Sequence, residues 1–326
     1  MIIRSLILAS LLDPKDFGLF GIAMVSLGSL RALSKTGFNQ ALIHKKENSK
    51  SYLDSAWSVQ VIRGVILGVI LFIFAPTIGE FFNEQRAINI IRAIGISELI
   101  YSFRNIGIIY FRKDLEFHKE FIYQFGGVFF DLIVSISFAY IYHSVWSLIL
   151  GLFARSSVQL ILSYVIHDYR PTFNIEWKKT KDLFSFGKWI LISSVLLLFL
   201  NQGDSILIGK VLSASALGIY QISYKIGRMI PTEISHSISM ISFPALSKLQ
   251  TSFKRLKYNY LKILKVTAFL SIPISAGIFF ITPQFVPLFL GRKWEEAIPV
   301  IKLLSVLGIF ISIGSTTTDV FKAKGK

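Results

Sequence analysis

The sequence predicts an all-α, polytopic membrane protein, and three observations predict it. Mean hydropathy is +0.59 and only 17% of residues are charged, against roughly 25% in ordinary soluble domains. Apolar runs of about 20 residues, long enough to cross a bilayer as helix, recur from end to end. These runs lack the strand-period alternation of a membrane barrel.

Taken in order, spans are predicted near 1–12, 17–34, 55–79, 87–111, 121–142, 145–166, 187–209, 213–247, 261–282 and 296–320. The first, MIIRSLILASLL, is short and lacks a small-residue cleavage site. It reads as part of a spanning helix rather than as a signal peptide. Between the spans the charge divides sharply. Of 35 Lys and Arg, 21 fall in one alternate set of linkers, including Lys45, Lys46, Arg112, Lys113, Lys178, Lys181, Lys254, Arg255, Lys324 and Lys326. The opposite set holds five: Lys15, Arg86, Lys210, Arg292 and Lys293. By the positive-inside rule the rich set is cytoplasmic. Topology therefore accounts for the formal charge of +16 without nucleic acid.

The longest linker, 167–186, is basic with interleaved aromatics. Phe173, Trp177, Phe184 and Phe186 either lie at the headgroup level beside anionic lipid or belong to a solvated loop. Either way it separates an N-terminal lobe, 1–166, from a C-terminal one, 187–326. The lobes repeat. LLDPKDFGLF at 11–20 matches VLSASALGIY at 211–220 in Leu12/Leu212, Gly18/Gly218 and Phe20/Tyr220. QALIHKK at 40–46 sits over PALSKLQ at 244–250. The segment 75–92 matches 282–302 in Pro76/Pro283, Phe82/Phe289 and Ala87/Ala297. An even number of spans separates the copies, which predicts two pseudo-symmetric six-helix lobes of the same orientation. A second lobe of six helices beginning near 187 would run past 326. The second lobe is therefore expected to be incomplete, and the chain to be a piece of a transporter with at least twelve helices.

Polar groups inside apolar spans mark function by default, because facing lipid costs several kcal/mol. Gln221, Lys225, Arg228, Thr232, Ser235 and Ser239 recur at steps of three and four, forming one helical stripe. Lys225 and Arg228, one turn apart, suit a phosphate or pyrophosphate; the alternative is that they snorkel or pair with Glu233 or Asp204. Pro231 is expected to kink this helix. Asn201 and Asp204 suit a proton or sodium site, or charge balance for those cations. Arg4 takes the place of Asp204 in the first copy. Arg31 is placed to line a central cavity, whereas Arg63 and Arg104 lie near the cytoplasmic interface, where they can snorkel. Asp131 and Arg155 each stand 12 residues from His143. Their matched depth predicts a buried structural ion pair between neighbouring helices. Gly64 and Gly68 have the spacing of helix packing.

No Walker loop, dinucleotide fingerprint, HExxH or GxSxG is present, and the five histidines show no metal-ligand spacing. No enzyme activity, cofactor or metal is expected.

The phrases LLDPKDFGLFGIAM, GFNQALIHKKE, NQGDSILIGKVLSASALGIYQISYKIG, FPALSKLQ and FLGRKWEEAIPVIKLLSVLG together resemble Wzx-type polysaccharide flippases. Within the multidrug/oligosaccharidyl-lipid/polysaccharide superfamily the likeness is to the lipopolysaccharide or colanic-acid-type exporters. The resemblance implies a MATE/MurJ-like, V-shaped pair of six-helix lobes with a central cationic cavity and alternating access. It implies a bacterial inner membrane location and an undecaprenyl-pyrophosphate-linked oligosaccharide as cargo, moved for surface polysaccharide biosynthesis. Membrane lipids and other polysaccharide-assembly proteins would be its partners. The family pattern maps onto Asn201, Asp204, Gly209, Gly218 and Tyr220. With it, Arg31, Lys225 and Arg228 become headgroup candidates and Asp204 a candidate for coupling or charge balance. Two other readings are a cation-coupled multidrug extruder of the same fold and a membrane-bound polysaccharide polymerase or ligase. The first would favour carboxylates over arginines in its cavity; the second wants a large outward loop with paired catalytic groups. A non-transporting membrane scaffold is the third, and it would leave the polar stripe idle.

Overall fold

The computed structural model describes residues 2–38, 42, 50–249 and 252–323. Lys45, Lys46, Lys324, Lys326 and most of the 40–46 repeat segment lie outside them. The described residues form helices α1 (Ile2–Leu11), α2 (Pro14–Leu33), α3 (Lys50–Phe81), α4 (Ala87–Ser102), α5 (Ile109–Lys113) and α6 (Phe117–Tyr142). They continue with α7 (Trp146–Ile166), α8 (Trp177–Val211), α9 (Ala214–Ser223), α10 (Ile230–Lys248), α11 (Phe253–Phe285) and α12 (Ala297–Ala323). Among the described residues seven helical stretches are long and apolar enough to cross a membrane. This is a multi-pass, all-helical membrane protein.

The chain forms two compact units: Leu11–Gly218, and Ile2–Ser10 with Ile219–Lys326. The cut falls elsewhere than the predicted linker. Each repeat surrenders its opening helix: α1 packs in the second unit and α8 in the first. The repeat lays 1–12 over 201–212, so the exchange is reciprocal. Matching contacts hold the two exchanged helices. In the second unit the buried Trp294 indole donates to the Ala9 carbonyl at 2.7 Å, at the end of α1. In the first, a Cβ added at Gly209, the counterpart of Ala9, would stand 3.0 Å from the Phe82 ring.

The core of the first unit joins Leu19, Ile22 and Leu27 of α2, Leu71 and Ala75 of α3, Ile91 and Ile94 of α4, Ile149 of α7 and Leu217 of α9. Pro14 opens α2 at a position that needs no amide donor. Asp16 accepts from the Asp13 amide at 3.3 Å and the Val145 amide at 3.2 Å, which ties the start of α2 to the turn before α7. Gly68 and Gly95 let α3 and α4 approach closely, and Gly64 sits against Ser102. The 64/68 spacing is helix packing, as the sequence suggested. On the α6–α7 pair, Gly127 receives Gln159 and Gly151 receives Asp131 and Ser135.

Two predicted spans take a different form. The one at 87–111 ends at Ser102, because Asn105 caps a short 3-10 turn at Ile106–Ile108, accepting from the Gly107 amide at 2.8 Å. The one at 213–247 is broken by a π-helical segment, Tyr224–Met229, which contains Gly227, whose carbonyl Pro231 cannot serve for want of an amide. Within the linker 167–186, helix α8 already begins at Trp177, and its membrane-crossing stretch begins at Ile190. Residues 169–176 lie along the start of α3 as an extended strap. The Tyr169 hydroxyl donates to Asp54, as does the Thr172 amide at 2.8 Å. The Asn174 amide donates to Ser58 at 3.0 Å and the Glu176 amide to Ser55 at 3.1 Å. Asp54, Ser55 and Ser58 share one face of α3 by helical spacing, so three side chains do the work of a ladder strand.

The tightest constraint lies where α2 crosses α9. A Cβ at Gly18 would overlap the Ala214 carbonyl, and one at Gly218 would overlap the Pro14 carbonyl. Gly18→Ala and Gly218→Ala should each lower stability by about 2 kcal/mol or more, since backbone cannot yield as a side chain can. Thermal unfolding in detergent, set against Gly203→Ala where a Cβ meets open space, checks this.

Candidate functional site

A cavity of about 480 Å³ opens in the first unit, walled by α2, α3, α4 and α8 and floored by the segment 35–38. Among the described residues, Arg31, Lys35, Arg63 and Arg104 line it, against one lining carboxylate, Glu98. The polar side chains Gln60, Tyr101, Asn201 and Gln202 complete the wall.

Arg31 sits in the last turn of α2, where a cation complements the helix dipole. Its Nε donates to Glu98 at 3.1 Å, its Nη2 bonds the same oxygen more closely, and its guanidinium lies over Tyr101. Arg63, well inside α3, donates from Nε to the Ser34 hydroxyl at 3.0 Å and from Nη2 to the Arg31 carbonyl at 3.3 Å. It therefore spends donors on the C-terminal end of α2 and fixes where Arg31 stands. Arg104 stacks on the same aromatic ring, its guanidinium 3.9 Å from the Tyr101 centroid. Its Nε and Nη1 are sealed from solvent and meet no acceptor among the described residues. Gln60 holds the turn beneath, donating to the Ser102 and Arg104 carbonyls at 2.8 and 3.2 Å. Gln202 enters from α8 against Gly28, with its Oε1 buried and unpartnered among the described residues. A pocket with three cations beyond its one carboxylate, and guanidinium donors in reserve, can hold a multiply charged anion such as a phosphate or pyrophosphate.

Of the predicted site residues, the structure brings Arg31 and Asn201 to this cavity. Asp204, one turn beyond Asn201 on α8, accepts from the Ser205 amide at 2.7 Å. Lys225 and Arg228 lie in the second unit, on the π segment. Lys225 donates to Ser5 of α1 at 3.2 Å, and Arg228 lies over Tyr224 with its Nε buried and unpartnered among the described residues. The extra residue per π turn rotates the helix beyond it. Ser239 accordingly bonds Asp319 of α12 at 2.5 Å while Lys225 reaches α1, so the six-residue stripe is not one seam. Asp131 is buried on α6 against Gly151, one turn from Arg155 on α7. Among the described residues no group of three or more His, Asp or Glu side chains gathers as metal ligands do.

Sequence reasoning gave no site role to Lys35, Gln60, Glu98 and Gln202, and it sent Arg63 and Arg104 to the interface. The usable signal was that Arg31, Arg63, Glu98 and Arg104 all fall within predicted spans, and ionisable groups inside a membrane mark cavities by default.

With this geometry in view, comparison with known proteins decides the family. Residues 7–299 match the family described as "Polysaccharide biosynthesis protein". The chain belongs to that family. It is 25% identical over 327 residues to the lipopolysaccharide biosynthesis protein WzxC of Escherichia coli K12, covering all of this chain and 66% of that protein. It is 25% identical over 293 residues to the teichuronic acid biosynthesis protein TuaB of Bacillus subtilis 168, covering 89% of this chain and 60% of that one. The chain thus spans less than two thirds of these relatives. An inward-facing multidrug resistance MATE transporter of the MOP superfamily superposes with a TM-score of 0.77 at 17% identity, over 99% of this chain and 80% of the other. The lipid II flippase MurJ, inward closed, gives 0.75 at 15%, over 100% and 73%. The fold is therefore MATE/MurJ-like, as expected.

His167, just past α7, packs beside Phe111 and Tyr110, and its Nδ1 accepts from the Tyr169 amide at 3.0 Å. Burial, the leading cause, holds its imidazole below the ordinary 6.5. A depressed histidine stabilises the fold while neutral, and that contribution is lost as pH falls through 6.5 toward the folded value. Melting temperature should therefore drop between about pH 7 and pH 5, and His167→Gln should flatten that slope.

Proposed function

We propose that this chain forms the transport core of a flippase that moves undecaprenyl-pyrophosphate-linked oligosaccharide units across a bacterial inner membrane for surface polysaccharide biosynthesis. The observation that carries the reading is the cavity in which Arg31, Lys35, Arg63 and Arg104 outnumber Glu98. A pyrophosphate needs several donors and positive charge in a site screened from water, and planar guanidinium groups supply both. The names of the relatives, lipopolysaccharide and teichuronic acid biosynthesis proteins, are consistent with a saccharide cargo. A cation-coupled drug extruder is disfavoured, because an organic cation would meet net positive charge.

On this reading the basic linkers face the cytoplasm and the cargo enters from that side, its lipid tail remaining in the bilayer during alternating access. Lys225 and Arg228 supply a second set of headgroup contacts. Asn201 and Asp204 serve coupling or charge balance, and Asp131 with Arg155 forms a structural pair that braces α6 against α7. The bodies that move are the two compact units, Leu11–Gly218 and Ile2–Ser10 with Ile219–Lys326, which differ from the predicted lobes 1–166 and 187–326 by the exchange of their opening helices. Other polysaccharide-assembly proteins are the expected partners.

In cells that make the polysaccharide, Arg31→Ala with Arg63→Ala should reduce surface polysaccharide about tenfold or more at unchanged protein level. Lys225→Ala with Arg228→Ala should do the same. Normal export from both variants at normal protein level would refute the headgroup assignment.

A further inference from the structure

A second cavity, about 360 Å³, lies beside the first. Gln60, Tyr101, Arg104 and Ile106 line both, so the two share a wall. Beyond that wall the chemistry changes. Arg112 is neutralised by Glu120, with Nε at 3.1 Å and Nη2 at 2.6 Å from one carboxylate oxygen. Gln124 donates to that same oxygen at 3.1 Å and accepts from Gln159 at 3.3 Å. This chain of bonds fixes a guanidinium, a carboxylate and an amide along one side of the cavity.

Two buried groups are left over. Tyr123 is 2% exposed, and its hydroxyl meets no hydrogen-bonding partner among the described residues. The Nε and Nη1 of Arg104, on the shared wall, have none either. A buried hydroxyl without a partner costs about 1–3 kcal/mol, and native structures rarely carry one idly. The cavity's character narrows what would answer it. An apolar ligand would leave the Tyr123 hydroxyl and the Arg104 guanidinium unsatisfied. A second anion would find Arg112 already paired with Glu120 and Arg104 shared with the first cavity. A neutral ligand with several hydroxyls, each able to donate and accept, satisfies Tyr123 and Arg104 together.

We propose that this second cavity is a saccharide subsite that takes the sugar residue attached directly to the pyrophosphate. Arg104 stands between headgroup and sugar, and Tyr123 bonds a hydroxyl of the ring. The proposal rests on the flippase reading for its cargo, and it adds selection: the first cavity reads charge, the second reads the sugar.

The test measures binding to the full chain in lipid nanodiscs. The probes are farnesyl pyrophosphate and the same lipid carrying one glucose, galactose or N-acetylglucosamine. Wild-type protein is expected to bind the sugar-free lipid and to bind at least one glycosylated lipid more tightly. Tyr123→Phe should reduce that sugar advantage about fivefold, the worth of one neutral hydrogen bond. It should leave the sugar-free affinity unchanged and the melting temperature equal or higher, because an orphaned hydroxyl has been removed. Ile108→Trp, which fills the cavity from a residue lining only this one, should abolish the advantage. Wild type that binds the sugar-free lipid but gains nothing from any sugar overturns the subsite and leaves the flippase reading standing, as does an advantage retained in both variants. Failure of wild type to bind any of the four lipids overturns the reading itself, and the subsite with it.

Discussion

Where α2 crosses α9, backbone meets backbone with nothing between them, at Gly18 against Ala214 and at Gly218 against Pro14. The two contacts are one contact repeated 200 residues apart. A helix pair can approach this closely only where the facing residues lack side chains, so the crossing fixes the register of both copies of the repeat at once. The exchanged helices depend on that register. If α2 and α9 slid by a turn, Gly209 would lose its place at Phe82. In a membrane interior, where apolar surface gains little by leaving lipid, such packing contacts must supply what burial supplies in water.

The cavity inherits its shape from this arrangement. Because α8 packs with the first unit, Asn201 and Gln202 reach a pocket whose cations come from α2, α3 and the turn after α4. The close α3–α4 contact at Gly68 and Gly95 brings Arg63 and Glu98 within reach of one another's partners. Arg63 spends its donors on Ser34 and the Arg31 carbonyl, so it acts as a C-terminal cap for α2 as well as a wall. One guanidinium is committed to helix structure, one to Glu98, and one to an aromatic ring with two donors to spare.

Hydropathy and glycine placement made the helices, the repeat and the fold class legible, because those depend on properties each segment carries alone. The equivalence of Gly18 and Gly218 rested on a handful of matches in ten residues, yet it located the tightest contact of the first unit. Other features are relational, and the sequence could not show them. Depth along a span placed Arg63 and Arg104 near the interface, but depth does not distinguish a lipid-facing side of a helix from a cavity-facing one. The strap bonds Tyr169 to Asp54 across 115 residues and Glu176 to Ser55 across 121, so no local pattern announces it. The π segment defeated the stripe through Lys225 and Ser239 for a related reason: helical spacing presumes an unbroken helix.

A cavity with this charge works against the unit that contains it. Four cations lie around one carboxylate, in surroundings of lower dielectric than water, where like charges repel more strongly. Glu98 offsets Arg31, and Tyr101 offers its ring to Arg31 and Arg104. Lys35 and part of the charge on Arg63 and Arg104 remain uncompensated by any lining carboxylate. Evolution could have removed that cost by placing one more acidic residue among the polar neighbours, at Gln60 or Gln202. An amide at both positions keeps hydrogen bonding without cancelling charge. A site built this way is stabilised by whatever anion enters it, because a ligand that binds only the folded form adds its binding energy to stability. The emptied cavity is then the less stable state. On the flippase reading that asymmetry is useful: the anion that relieves the repulsion is the cargo.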